Sequence, residues 1–443
     1  MLKELNIDVK NYNSKEELHA FIHTPINFLD NLTKDYEQDA ITLCFGVIPD
    51  IHVLICPDII KEVLVTQNKK FEKAKTLKTS KLLVGEGLLT SEGEYHKRQR
   101  ILAQPAFKRS HISSYANSMV NQCQKILDRW QHGETRMINL EMLEVTLSII
   151  TKTMFNEEID ADFGDIAHNI DLGLKKINEL ALISKLEDIK NDPEFVQAKQ
   201  NLDKIIYPII EQKRENFINN GDLLSMLMDA KVEGTDKGMS NEQIRDELMT
   251  IFIAGHETTA NLLTWSLLLI AQHPEVEGKF HNEINNVLSN KKPTIVDFEN
   301  LVYTQNILWE TLRFYPSVWR VAREAVEDVN INGLTIKKGE MVIISQYLSH
   351  RNPHFFESPE QFSPERFENG GLRSLVPYSF FPFGGGPRVC IGNHFAMLEA
   401  TLVLAMIGQR FKLKLHNSVQ KIQMDADLSL KPKGGLKMVL EKR

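Results

Sequence analysis

The feature that most constrains the fold is a cysteine placed between a glycine-rich turn and the start of a long helical pattern. Residues 383–392 read Phe-Gly-Gly-Gly-Pro-Arg-Val-Cys-Ile-Gly, and the cysteine is Cys390. The glycines allow the backbone to pass close to a flat ligand, and the apolar periodicity that follows predicts a helix from Asn393 to about Gly408. Unpaired N–H groups at a helix N-terminus stabilise a negative charge, so this position predicts that Cys390 is a thiolate.

A simpler interpretation is that Cys390 is a small, buried, apolar side chain, as free cysteines usually are. Cys44, Cys56 and Cys123 fit that interpretation, because they are scattered and lack the spacing of a zinc or iron–sulfur site. Four cysteines without disulfide-like spacing also indicate a reducing compartment.

The surroundings of Cys390 distinguish it from the other three cysteines. They resemble the cysteine-loop signature of the cytochrome P-450 family, F-x-x-G-x-R-x-C-x-G, at Phe383, Gly386, Arg388, Cys390 and Gly392. The resemblance implies that Cys390 is the metal ligand of a haem b, with Phe383 and Arg388 in the cofactor-binding loop. It also implies a mainly α fold with small β-sheets, in which the haem lies between a long distal helix and the cysteine loop.

The long helix is predicted between Ser240 and the pair His273-Pro274. Ser240 and Gln243 have the spacing of a capping box, and the helical pattern that follows spans roughly 30 residues, or about 45 Å. Residues 254–259, Ala-Gly-His-Glu-Thr-Thr, interrupt its apolar centre. Glycine weakens a helix and threonine can bond to the preceding turn, so we expect a distorted turn at this point.

Without further context, these polar residues would be interpreted as a solvent-facing patch. They resemble the A-G-x-[DE]-T-[ST] motif of the same family at Ala254, Gly255, Glu257, Thr258 and Thr259. The resemblance implies a groove for dioxygen above the haem, with Ala254 and Gly255 in the cofactor site. Thr258 would hydrogen-bond the dioxygen as it is reduced and steer its protonation, and Glu257 would relay protons from solvent.

The two propionates of a haem need cationic or hydrogen-bonding partners once they are partly buried. The resemblance implies four such partners: Arg388, Arg323, and the pair His96 and Arg100 in a segment similar to the family's W-x-x-x-R helix. His96 stands where many members have tryptophan, and histidine can itself donate to a propionate. Without the resemblance, isolated arginine and histidine residues are interpreted as solvated or as satisfied core residues.

Glu310 and Arg313 are three residues apart, near the end of a helix that Pro316 stops. An exposed pair of this kind contributes only a few tenths of a kcal/mol. The family pairs its E-x-x-R helix with a segment like residues 364–367, Pro-Glu-Arg-Phe. The resemblance therefore implies a buried network of Glu310, Arg313 and Arg366 that fixes the approach to the cysteine loop.

The remaining patterns outline the architecture. Residues 40–56 alternate like a hairpin, and Pro57 then begins a helical pattern. Short strands are predicted within residues 332–347, and an irregular segment, residues 350–383, leads to the cysteine loop. No repeat or linker marks a boundary, so we predict a single domain over residues 1–443.

Composition and charge exclude several classes of protein. The chain is 42% apolar and 25% charged, which is typical of a globular protein. A net charge of -7 argues against nucleic acid as a partner. No signal peptide and no apolar run of about 18 residues is present, so we expect a cytoplasmic protein without a membrane anchor. The chain ends at Arg443, soon after the haem-binding segments, so we expect no fused reductase.

Electrons would then come from a separate protein. Lys97, Arg98, Lys108 and Arg109 form a basic cluster in an acidic chain. Such a cluster is usually a solvated face. In the fold that the resemblance implies, it lies on the cysteine side of the haem, and we expect a ferredoxin- or flavodoxin-type donor to dock there.

The expected substrate is an apolar organic molecule, with a lipid-like compound as one candidate. In the implied fold, the loop 78–94 and the helices between about Asp162 and Tyr207 would cap the pocket, and both are rich in Leu and Ile. Most ligand pockets are apolar, so the sequence does not identify the substrate further.

Together these features predict a haem-thiolate monooxygenase that uses dioxygen and two electrons from a redox partner. A peroxide-driven peroxygenase or a hydroperoxide-rearranging relative would share the fold but would not need the pair Glu257 and Thr258. A non-catalytic haem or ligand carrier is an alternative of another class, and it would have no use for a thiolate.

Overall fold

The computed structural model describes residues 5–12, 14–33, 36–155, 168–170, 172–177, 186–231, 238–368, 370–416 and 422–443. This part of the chain is mainly helical with small β-sheets, as predicted. The helices with defined bounds are α1 (Lys15–His23), α2 (Pro25–Leu32), α3 (Pro57–Lys61), α4 (Lys75–Thr79), α5 (Lys81–Val84), α6 (Gly93–Ala103), α7 (Arg109–Ile112), α8 (Ala116–Leu127), α9 (Ile138–Phe155), α10 (Leu186–Asn191), α11 (Pro193–Glu215), α12 (Leu223–Asp229), α13 (Asn241–Gln272), α14 (Pro274–Leu288), α15 (Ile295–Phe298), α16 (Val302–Phe314), α17 (Gln346–Ser349) and α18 (Asn393–Arg410). The strands are β1 (Ile7–Asn11), β2 (Ala40–Cys44), β3 (Ile51–Leu54), β4 (Phe71–Lys73), β5 (Thr135–Met137), β6 (Val321–Ala325), β7 (Val329–Ile331), β8 (Leu334–Ile336), β9 (Met341–Ile344), β10 (Phe411–Leu415), β11 (Met424–Ala426), β12 (Leu430–Pro432) and β13 (Lys437–Lys442).

A six-stranded sheet joins the N-terminal part of the chain to the segment before the cysteine loop. Its strand order is β1-β2-β3-β9-β6-β4. Strands β2 and β3 form the predicted antiparallel hairpin, β3 pairs in parallel with β9, and Pro57 begins α3. The edge strand β4 pairs with β6 so that Lys73 lies opposite Arg323. This pairing brings two distant basic residues together.

Helix α13 begins and ends where the sequence predicts. Ser240 and Gln243 form a capping box, and His273 is the C-cap. Helix α13 continues without a break through the turn that was expected to be distorted. Gly255 instead lets α9 pack closely, since a Cβ at this position would lie 3.1 Å from Cδ1 of Ile150. Although α13 has 32 residues, neither it nor any other helix in the described ranges is both long and apolar enough to cross a membrane.

Glu310 and Arg313 form a fully buried ion pair in the last turns of α16. Nε and Nη2 of Arg313 donate to the two carboxylate oxygens of Glu310, each at 2.7 Å, and both side chains are 0% exposed. Nε of Arg366 lies 3.5 Å from Oε1 of Glu310. The three residues predicted to form a network therefore meet in the structure.

This network holds the irregular segment that leads to the cysteine loop. Arg313 also donates to the carbonyl oxygens of His350, Pro359 and Gln361, at 3.0, 2.8 and 3.1 Å. Nε2 of His350 in turn accepts from the N–H of Phe381 at 3.0 Å. Burial lowers the pKa of His350 well below its ordinary value, so the ring is neutral and can accept this bond. The segment is thus fixed at several points before it reaches the cysteine.

Candidate active site

Cys390 lies in a tight loop between a 3-10 turn, Gly386–Arg388, and helix α18. Its N–H donates to the carbonyl oxygen of Phe383 at 2.9 Å, which closes the loop. Gly386 has a φ of +64°, and a Cβ there would collide with the backbone carbonyl of Leu64. The loop therefore requires glycine at this position.

The sulfur of Cys390 lies in a recess. The residue is exposed, yet the surrounding protein raises the pKa of its thiol through burial. A hydrogen bond from the N–H of Gly392 and the positive charge of Arg100 both lower this pKa, and Nη1 of Arg100 donates to the carbonyl of Val389 at 2.6 Å. The N–H at the start of the helix thus favours the thiolate, as expected, while burial opposes it and is the larger effect. A metal ion bound to the sulfur would itself remove the proton.

Five basic side chains converge beside this loop: Lys73, His96, Arg100, Arg323 and Arg388. Burial, and then the charges of Arg388, Lys73, Arg100 and Arg323, lower the pKa of His96 to about 3. Burial and the charge of Arg388 lower the pKa of Lys73 to about 7. The structure thus places the four residues expected at the propionates in one group, which we call the cation cluster, and adds Lys73 to them.

Few anions balance the cation cluster. Glu92 forms an ion pair with Arg388 and accepts from the backbone N–H of Lys73 at 2.8 Å. Nζ of Lys73 donates to the carbonyl oxygens of Leu88 and Ser91, at 3.0 and 2.7 Å. Of the three arginines in the cluster, only Arg388 therefore contacts a carboxylate within the described ranges. Enclosed positive charge requires an anionic partner, and a haem with its two carboxylates fits this set of donors.

Helix α13 also opens into a recess at its centre. Ala254 is exposed, although the neighbouring Phe252 and Ile253 are buried. Oγ1 of Thr258 donates to the carbonyl of Ala254 at 2.7 Å, which is the predicted bond to the preceding turn. Oε1 of Glu257 accepts from Oγ of Ser429 at 2.7 Å. The polar ends of Thr258 and Glu257 thus have different partners in this structure.

A buried carboxyl group on the helix that follows Cys390 faces α13. Glu399 on α18 is fully buried, and this burial raises its pKa well above the ordinary value, while the nearby Thr259 of α13 lowers it. Neither carboxyl oxygen of Glu399 has a hydrogen-bond partner among the described residues, so the neutral acid is enclosed beside Thr259 without a bond to it. No sequence motif used above pointed to Glu399, since a glutamate in an apolar helix has no local signature.

The loop after α5 is anchored on the first half of α13. The N–H groups of Glu86 and Leu88 donate to Asp246 and Glu247, at 2.7 and 3.1 Å. Nη2 of Arg245 donates to the carbonyl of Leu83 at 3.0 Å. Burial raises the pKa of Glu247 to about 7. Part of the predicted pocket cap is therefore fixed to the distal helix.

The other predicted residues have mixed surroundings. The ring of Phe383 packs edge-on against Trp309, with 6.0 Å between the ring centroids, so it supports the loop from the core side. In the basic cluster, Arg109 pairs with Glu299 at 2.6 Å, and Arg98 lines a surface cleft that also contains Glu242. Of the predicted cap between residues 162 and 207, residues 162–167, 171 and 178–185 lie outside the described ranges.

Comparisons with known proteins agree on one family. The family model described as "Cytochrome P450" matches residues 18–438. Cyclooctatin synthase of Streptomyces melanosporofaciens is 32% identical over 434 residues, which cover 96% of this chain and 93% of the relative. Cyclooctat-9-en-7-ol 5-monooxygenase of the same organism is 31% identical over 402 residues, 89% of this chain and 86% of the relative. The crystal structure of the cytochrome P450DA heme domain superposes with a TM-score of 0.87 at 23% identity, covering 100% of this chain and 98% of that one.

Proposed function

The chain belongs to the cytochrome P-450 family of monooxygenases, and we propose that it holds a haem b through Cys390 and oxidises an apolar organic substrate. The observation that carries this proposal is the position of Cys390 beside the cation cluster. An accessible sulfur receives an N–H from Gly392 and the charge of Arg100, next to enclosed cations that outnumber their carboxylate partners. A cysteine that only fills space in a core needs neither of these neighbours.

Haem, when bound, would supply the reduction of dioxygen with two electrons and the transfer of one oxygen atom to a C–H bond. Cys390 would donate charge to the iron, and Gly392 and Arg100 would stabilise the negative sulfur. Arg323 and Arg388 would hold the cofactor's carboxylates as permanent cations. His96 is neutral because its pKa is lowered to about 3, so it would donate a single N–H.

Thr258 and Glu257 would handle the protons. The hydroxyl of Thr258 would turn from the carbonyl of Ala254 towards the recess and donate to the dioxygen. Glu257, held by Ser429 and 3.8 Å from Nζ of Lys431, would collect protons at the outer side of α13. A general acid must be recharged after each turnover, and a carboxylate next to a half-exposed lysine is suited to that task.

The electron donor would be a ferredoxin- or flavodoxin-type protein that docks on the basic side of α6. The structure supports a smaller basic patch than the four residues predicted. Arg109 is paired with Glu299, whereas Lys97 and Lys108 are exposed, and Lys97 has only a loose contact with Glu94 at 3.7 Å. Lys97 and Lys108 would therefore provide most of the attraction for an acidic partner.

An apolar substrate agrees with the name of one relative, cyclooctat-9-en-7-ol 5-monooxygenase. The peroxygenase alternative is less well supported, because the acid and alcohol pair Glu257 and Thr258 is present at the recess. A carrier protein would not need that pair or the accessible Cys390.

Turnover with labelled dioxygen tests the proposal. With surrogate ferredoxin, ferredoxin reductase and NADPH, we expect NADPH consumption and the label in the oxidised product of an apolar substrate. Turnover with hydrogen peroxide alone, with no NADPH-dependent product and no label from dioxygen, would instead support the peroxygenase.

A further inference from the structure

The segment between α5 and α6, residues 85–92, is anchored at two places, and we call it the cap segment because it lies within the predicted pocket cap. One anchor is the distal helix α13, where the N–H groups of Glu86 and Leu88 donate to Asp246 and Glu247. The other anchor is the cation cluster. The cap segment therefore connects the candidate cofactor site to the first half of α13.

Lys73 makes the first contacts between the cation cluster and the cap segment. Its Nζ donates to the carbonyl oxygens of Leu88 and Ser91, at 3.0 and 2.7 Å, and the residue is only 5% exposed. Leu88 is thus held through both of its backbone polar groups. Its N–H donates to the buried carboxyl group of Glu247, and its carbonyl oxygen accepts from the buried amino group of Lys73.

Arg388 makes the second set of contacts. Its Nη1 donates to the same carbonyl oxygen of Ser91 at 3.1 Å, and its Nη2 forms an ion pair with Glu92. Glu92 also accepts from the backbone N–H of Lys73 at 2.8 Å. Lys73 and Arg388 therefore share a carbonyl oxygen and a carboxylate of the cap segment, so a shift of either cation is transmitted directly to this segment.

The charge of Lys73 depends on the ions around it. Burial, and then the charge of Arg388, lower the pKa of Lys73 to about 7; Glu92 raises it, and Arg323 and Lys81 lower it further. With these neighbours alone, Lys73 is only partly charged at neutral pH. Two carboxylates bound to the cation cluster would offset the repulsion among its cations and favour the ammonium form. An ammonium group binds carbonyl oxygens more strongly than a neutral amine does.

The other titratable neighbours of Lys73 act in the same direction or not at all. His96 is neutral, because its pKa is lowered to about 3. Burial raises the pKa of Glu247 to about 7, and the charge of Lys73 lowers it. A charged Lys73 therefore favours the carboxylate form of Glu247, which is the stronger acceptor for the N–H of Leu88. Both backbone bonds of Leu88 become stronger when Lys73 is charged.

From these contacts we propose that Lys73 is a positioning residue through which the carboxylates of the cofactor order the cap segment. The bound carboxylates would keep Lys73 charged and Arg388 in place, and both cations would hold the cap segment against α13. The pocket cap would then be fully ordered only when the cofactor is correctly seated. This role rests on the proposed function and adds a link between cofactor binding and the order of the cap.

Hydrogen exchange of the protein loaded with haem b or with haem b dimethyl ester tests this role. The ester keeps the iron and the ring but lacks both negative charges. In the wild-type protein, we expect the amides of the cap segment to exchange about tenfold faster with the ester, which is the effect of one charge-assisted hydrogen bond. In Lys73→Met, these amides should exchange rapidly with both cofactors. Lys78→Met is the matched control and should keep the wild-type ratio, because Lys78 belongs to the same cap but pairs with Glu72 at 2.6 Å.

The reverse effect gives a second measurement that leaves Lys73 unchanged. Asp246→Asn weakens the anchor of the cap segment on α13 without altering a cofactor-binding residue. Coupling between two sites is reciprocal, so haem b should transfer from this variant to excess apomyoglobin several-fold faster than from the wild type. Glu242→Gln, at an exposed position in the first turn of α13, should leave the rate of transfer unchanged.

Three results would each overturn the role of Lys73: equal exchange with the two cofactors in the wild type, a difference that survives in Lys73→Met, or an unchanged rate of haem transfer in Asp246→Asn. The reduced carbon-monoxide spectrum separates this failure from that of the proposed function. A thiolate-type band in the wild-type protein together with any of these results rejects only the role of Lys73. A wild-type protein without that band rejects the proposed function itself.

Discussion

Arg100 donates a hydrogen bond of 2.6 Å to the carbonyl oxygen of Val389, the residue directly before Cys390. The same guanidinium lowers the pKa of the cysteine and of His96 through its charge. Helix α6 is thereby connected to the candidate iron ligand and to the cation cluster by one side chain.

Replacement of Arg100 should therefore weaken the retention of haem, and not only the stability of the fold. In Arg100→Leu, the cysteine loop loses a hydrogen bond and the propionates lose a cation, so we expect haem to transfer to excess apomyoglobin about tenfold faster. Arg98→Leu is the matched control, since Arg98 is on the same helix but has no effect on the pKa of Cys390. Equal rates of haem transfer in both variants would contradict this role of Arg100.

Thr258→Ala should uncouple electron consumption from product formation. Without the hydroxyl, the proton delivered to reduced dioxygen is poorly placed. We therefore expect several-fold more hydrogen peroxide per NADPH consumed. Thr264→Ala is the control, because Thr264 makes the same 2.7 Å bond to the preceding turn of α13 but is fully buried two turns away. Full coupling in Thr258→Ala, measured as product per NADPH, would rule out the proposed role.

Glu247 should make stability depend on pH. Its pKa is raised from 4.5 to about 7 by burial, so the folded state binds its proton more tightly than the unfolded state. Its contribution to stability is complete below about pH 4.5 and is lost as the pH rises to about 7. Glu247→Gln, which keeps an acceptor for Leu88, should therefore increase the free energy of unfolding by about 3 kcal/mol at pH 8 but by less than about 1 kcal/mol at pH 5.

Urea unfolding at both pH values measures this difference. Glu242→Gln, at an exposed position in the first turn of the same helix, should show no such pH dependence. A Glu247→Gln variant with the same effect at pH 5 and pH 8 would show that the carboxyl group does not titrate between these values.

Charge reversal at Lys97 and Lys108 should slow reduction by an acidic ferredoxin. Lys97 is on helix α6, Lys108 follows that helix, and both lysines are exposed. The attraction that they provide to an acidic protein is screened by salt. We expect a several-fold lower reduction rate in stopped-flow measurements at low salt and a smaller difference at high salt. Lys338→Glu, on the turn before β9, is the control. Reduction rates that match the wild type at every salt concentration would exclude this docking surface.

The parts of the structure that could be predicted are those with local signals. The bounds of α13 follow from the capping pair Ser240 and Gln243 and from Pro274, and the Cys390 loop follows from its glycines. The meeting of Lys73 with Arg323 could not be predicted, because it depends on which strands pair.

The role that a residue plays was also harder to predict from the sequence than its position in the fold. Gly255 was expected to distort α13, but it allows α9 to approach through Ile150. For Cys390 the sequence indicates the N–H groups that favour a thiolate, and Gly392 supplies one, but the opposing burial of the sulfur could not be predicted. Both effects depend on neighbours that are distant in sequence.

The spectrum of the reduced carbon-monoxide complex tests the thiolate ligand most directly. For the wild-type protein, we predict the strongly red-shifted Soret band of a thiolate-bound haem. Cys390→His should keep the haem but return the band to the position typical of a histidine ligand. A histidine-type band in the wild-type protein, or a red-shifted band that survives in Cys390→His, would contradict the assignment of Cys390 as the iron ligand.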